Sequence, residues 1–76
     1  MNGMTYPIQI KSTKDAIRIC EKAAAADLGV TISCGTTTLD PRSILGLLAL
    51  VGKQALLVAP DHSNPNEFME LIKRIS

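Results

Sequence analysis

The chain has 76 residues, 46% of them apolar, with eight basic and seven acidic side chains and a formal net charge of +1. A domain of that length buries only roughly 60–65% of its unfolded surface, so residues 1–76 read as a single domain whose apolar residues share one core. Near-neutral charge and only two aromatic side chains, Tyr6 and Phe68, argue against a nucleic-acid binder, which needs a basic stripe or stacking rings.

Met1 to Met4 read as a loose end. Tyr6, Ile8 and Ile10 then alternate with Pro7, Gln9 and Lys11, the period of a half-buried strand. Pro7 has no N–H to donate, which places that strand at a sheet edge or in a non-bonding register. Ser12 and Thr13 offer N-cap hydroxyls, and Asp15 follows Ser12 by three residues, as in a capping box. The helix that follows runs to about Ala26, with Ile19, Cys20 and Ala23 facing inward and Lys14, Arg18, Glu21 and Lys22 outward. Gly29 is its expected stop signal.

Residues 30–34 alternate and are β-branched, which predicts a strand. Gly35 and Thr36 turn the chain, and residues 37–39 return as the hairpin partner. Asp40 is the expected cap of a second helix, with Pro41 at its first helical position and Ser43 in its first turn. Gly52 is expected to end it. The apolar run over residues 44–51 is broken by Gly46 and is much too short to span a bilayer. A short apolar strand over residues 55–59 precedes a second cap signature, Asn64 with Pro65 at the first helical position and Glu67 three residues after the cap. The last helix presents Phe68, Leu71, Ile72 and Ile75 on one face, with Lys73 and Arg74 complementing its C-terminal dipole.

The element order is therefore β-α-β-β-α-β-α. It predicts an α+β fold in which three amphipathic helices and a four-stranded sheet form a two-layer sandwich. The β-α-β-β-α-β core also suits a ferredoxin-like domain, so order along the chain leaves two folds open.

Cys20 and Cys34 have neither the spacing of a zinc site nor that of a redox pair, and are expected to be small buried thiols. No metal or cofactor is implied. The N-terminus shows no basic region followed by an apolar stretch, so no secretion signal is read and a cytoplasmic location is the expectation.

The segment Arg42-Ser43-Ile44-Leu45-Gly46-Leu47-Leu48-Ala49-Leu50 resembles the second helix of HPr, the phosphocarrier family of the bacterial sugar phosphotransferase system. The likeness runs from Asp15 to about Leu50 without a gap and continues beyond with a short deletion. It implies an HPr-like open-faced sandwich, with an antiparallel sheet ordered 1-4-2-3 covered on one face by the helices. A ferredoxin-like fold would order its strands 4-1-3-2. HPr carries phosphate on a histidine in a Gly-Ile-His-Ala-Arg-Pro-type turn, where this chain has Lys11-Ser12-Thr13-Lys14-Asp15. Counting back from Ser43, Ser12 falls at the histidine's place, Lys14 at the family's arginine and Asp15 at its proline.

The chain thus resembles a degenerate member without the phosphocarrier histidine, as in the catabolite-repression homologue of HPr. No catalytic residues are expected, and the protein is not expected to be an enzyme. A serine ester has too low a transfer potential to replace phosphohistidine, so Ser12 and Thr13 read as helix caps. The single histidine, His62, lies beside Asp61 and Ser63 in a distant loop, and adjacency in sequence does not make a triad.

In the family, the serine matching Ser43 is phosphorylated by HPr kinase, and the positions of Ile44, Leu45 and Leu48 form an exposed patch that meets partners. An ordinary first-turn serine is the competing reading of Ser43. For the apolar set, the competing reading is a helix wrapped by more core than usual. The resemblance implies a regulatory, protein-binding role with a phosphotransferase-system component, HPr kinase or transcriptional regulator as partner, and it allows a homodimer. Neither nucleic acid nor membrane is an expected partner. A small-molecule sensor for amino acids on a ferredoxin-like core is the alternative.

Overall fold

In a computed structural model that describes residues 4–76, the chain runs β1 (Thr5–Ile10), α1 (Thr13–Ala26), β2 (Thr31–Cys34), β3 (Thr37–Leu39), α2 (Ile44–Leu48), β4 (Lys53–Val58) and α3 (Pro65–Ile75). The strands form one antiparallel sheet in the order β1-β4-β2-β3. This is the order implied by the resemblance, and it differs from that of a ferredoxin-like domain. Pro7 sits on the edge strand β1, where a missing donor leaves no central ladder bond unmade.

Alternation along the strands fixes which face meets the helices. Ile10, Ile32 and Leu57 are fully buried, one from each of β1, β2 and β4. Against them pack Ala16, Ile19 and Ala23 of α1, Leu47 of α2, and Phe68, Leu71, Ile72 and Ile75 of α3. Small alanines on α1 let that helix lie close to its neighbours.

Helix α3 begins where its cap and proline signals place it, with Glu67 in the first turn. Asn64 Oδ1 accepts the Asn66 N–H at 2.8 Å, Pro65 opens the helix, and the four expected apolar residues are buried. Helix α1 ends at Ala26 as expected, but two residues turn the chain there: Asp27, with φ 51° and its N–H donated to the Ala23 carbonyl, and Gly29, with φ 72°. Aspartate tolerates the left-handed region better than most residues, so glycine is not required at position 27.

The larger difference is at α2. Asp40 does not cap it and Pro41 lies outside it. Asp40 Oδ1 accepts the Arg42 N–H at 2.9 Å and the Asp40 carbonyl accepts the Ser43 N–H at 2.9 Å, closing a turn around a fully buried Pro41. Aspartate readily forms such a turn in competition with a helix cap. The helix therefore starts at Ile44, with Ser43 as N-cap rather than inside the first turn, and has five residues. Beyond Leu48 the chain continues in i to i+3 turns, Leu50 N–H to Leu47 carbonyl and Val51 N–H to Leu48 carbonyl, before Gly52 redirects it at φ 89°.

Val30 and Ala59 are buried but flank the strands β2 and β4. Met1, Asn2 and Gly3 lie outside the described residues. Met4 is not loose: its carbonyl accepts the Ala59 N–H at 2.8 Å and its side chain packs on the core.

Candidate functional site

Two places carry the expected site residues, the α2 segment and the first turn of α1. In and just beyond α2, Leu47 and Leu50 are buried in the core, while Leu45 is 78% exposed and Leu48 and Val51 are each 36% exposed. The outward set Leu45, Leu48 and Val51 has three-residue spacing, and so does the inward pair Leu47 and Leu50. That spacing keeps each set on one side of the chain where the helix tightens into i to i+3 turns. Ile44 is half-buried and packs against the core, so it belongs to the exposed patch less than Leu45 and Leu48 do. Val51 was not among the expected patch residues, although its place three residues after Leu48 was legible.

Ser43 is exposed, and its hydroxyl makes no capping hydrogen bond. Gly46 lies beside it: a Cβ there would be 3.6 Å from Ser43 Oγ and 3.5 Å from the Leu39 methyls, ordinary contact distances. The adjacent Arg42 is already engaged, with Nε 3.2 Å from Asp40 Oδ1 and Nη2 3.0 Å from Asp40 Oδ2. Hydrogen bonds from the Arg42 side chain and backbone hold the Asp40 carboxyl below the usual carboxylate range, and the same pair raises the Arg42 guanidinium.

The first turn of α1 is occupied by its own acid. Ser12 is the N-cap, its Oγ accepting the Asp15 N–H at 3.3 Å. Asp15 Oδ2 accepts the Lys11 N–H at 2.9 Å, and Asp15 Oδ1 pairs with Arg18 Nη2 at 2.8 Å. The Lys11 N–H, with a further contribution from Arg18 and against some desolvation, holds Asp15 below its ordinary value. This is a capping box shifted by one residue, because the carboxylate reaches the N–H of Lys11 rather than that of Ser12. Thr13 and Lys14 are exposed.

His62 is exposed on the connection between β4 and α3, a different connection from the one that leads into α1. Cys20 and Cys34 are half-buried rather than buried. Their Sγ atoms approach the carbonyls of Arg42 at 3.3 Å and Gln54 at 3.5 Å, which satisfies each weak donor near the surface. Among the described residues, no group of three or more His, Cys, Asp or Glu side chains could hold a metal ion, and no helix is long and apolar enough to cross a membrane. No family model, curated protein or solved structure matches the chain.

Proposed function

We propose that this protein is a regulatory protein-binding module of the HPr type without phosphocarrier activity, docking partners through α2 and switched at Ser43. The observation that carries the proposal is the outward set Leu45, Leu48 and Val51, in and just beyond a five-residue helix whose inward Leu47 completes the core. Apolar side chains grouped on one side of a surface helix favour contact with another protein. The partner class is a phosphotransferase-system component, HPr kinase or transcriptional regulator in the cytoplasm.

The exposed, uncommitted Ser43 hydroxyl supports the switch. Phosphorylation adds about −1.5 to −2 charges. Because Asp40 already neutralises Arg42, that charge enters largely uncompensated beside the apolar set. The first turn of α1 supports the loss of phosphocarrier activity, since Asp15 engages the Lys11 N–H and the Arg18 guanidinium and its charge repels an anion. The alternative amino-acid sensor on a ferredoxin-like core has no support in the strand order.

Two experiments test the proposal. Leu45→Glu and Leu48→Glu are expected to remain folded while losing association with the partner; if thermal melts show either variant unfolded, the patch belongs to the core and the docking model fails. Incubation with an HPr kinase and ATP is expected to put acid-stable phosphate on Ser43, read by mass spectrometry. No label on this chain, while an ordinary HPr labels in the same tube, removes the switch.

A further inference from the structure

The face of the sheet opposite the helices has a composition unlike the rest of the surface. One row of paired residues crosses all four strands as Pro7, Leu56, Ser33 and Thr38. On one side of it lies the row Thr5, Val58 and Thr31, and on the other the pair Gln9 and Gln54. Leu56, at the centre, is 42% exposed between the buried Ala55 and Leu57, which shows that the row points away from the core. None of these positions is charged, although 20% of the chain is.

We propose that this open face is a self-association surface on which a second copy of the chain stacks, sheet against sheet. A two-fold contact brings a face against itself, so any charge near the axis meets its own sign. This face carries none. Its apolar centre and uncharged polar border also match the charge-depleted middle of protein interfaces.

The sheet edges favour stacking over edge pairing. Pro7 interrupts the donors of edge strand β1, and the other edge, β3, has only three residues. Strands about 4.8 Å apart, with about 3.3 Å per residue, give the four-stranded face a flat outline of roughly 300–400 Å². That is below the roughly 800 Å² per partner of a standard stable complex, so the dimer is weak and reversible.

Sedimentation and diffusion measurements on the full chain from micromolar to millimolar concentration test this. The mass is expected to rise towards that of a dimer, with little dependence on salt. Leu56→Lys and Ser33→Lys should each remain monomeric with unchanged far-ultraviolet circular dichroism, while Leu45→Glu should still dimerise. Mixing Leu56→Lys with Leu56→Glu should restore association. A wild type that stays monomeric at millimolar concentration overturns the proposal, as does a folded Leu56→Lys or Ser33→Lys variant that still dimerises. Loss of dimerisation in Leu45→Glu moves self-contact to α2 and also overturns it. Since the readout is self-association, failure here leaves the docking function of α2 to its own tests.

Discussion

Helices α2 and α3 are both announced in the sequence by a polar residue followed by proline, yet they are held in opposite ways. Asn64 caps α3 with its side chain, and four apolar residues fasten that helix to the sheet. Asp40 commits its side chain to a turn, leaving α2 with an uncapped start, five residues and one buried leucine within its bounds. An isolated helix that short is not stable in water, so α2 depends on Leu47 and on the turns at either end. The contrast separates a helix with four buried apolar residues, whose Met69 alone is 54% exposed, from one with a single buried leucine and both Leu45 and Leu48 outside.

The largest effect is expected from the core. Leu71→Ala should cost about 2–5 kcal/mol, whereas Leu45→Ala should change stability by no more than about 0.5 kcal/mol. Urea denaturation of the two variants measures the difference, and equal losses would erase the contrast between the helices. Next come the caps: Asn64→Ala should cost about 1 kcal/mol, and Ser43→Ala much less because its hydroxyl caps nothing. Thermal melts of this pair sharpen the comparison, and a Ser43→Ala loss as large as that of Asn64→Ala would show that α2 is capped in solution.

The smallest effect concerns acid. Asp15 is held below its ordinary value in the folded chain, so its contribution is present above the unfolded value and is lost as pH falls through the folded one. Asp15→Asn should therefore be less stable than wild type at neutral pH, with the gap closing below the usual carboxylate range. Melts across pH test the sign, and a gap that widens in acid contradicts the hydrogen bonds drawn for this carboxylate.

Much of this arrangement is legible in the sequence. Period-two alternation locates β1 and β2, and α3 is specified by cap, proline, apolar spacing and basic end together. Strand order came only with the family resemblance, since element order alone left two folds. What the sequence pattern missed was the use of aspartates. Asp40 followed by proline suits a helix cap and a turn equally, and burial of Pro41 accompanies the turn. Asp27 caps the end of α1 in the left-handed region, two residues before Gly29 enters it too, because an aspartate adopts it at small cost. At the candidate site, the outward Leu45 and Leu48 were foreseen, while the half-buried Ile44 depended on where the helix begins.

One long-range hydrogen bond bears on how the chain acquires its shape during synthesis. Arg18 Nε donates to the Ile75 carbonyl at 3.4 Å across 57 positions of sequence, and edge strand β1 pairs with β4, late in the chain. The earlier segments to leave the ribosome thus have partners that are made later. Non-local pairing of this kind delays folding, because the loop must close before any contact compensates its lost entropy. The nascent N-terminal half must wait, with Ile10 and Ile19 uncovered, until β4 and α3 have emerged.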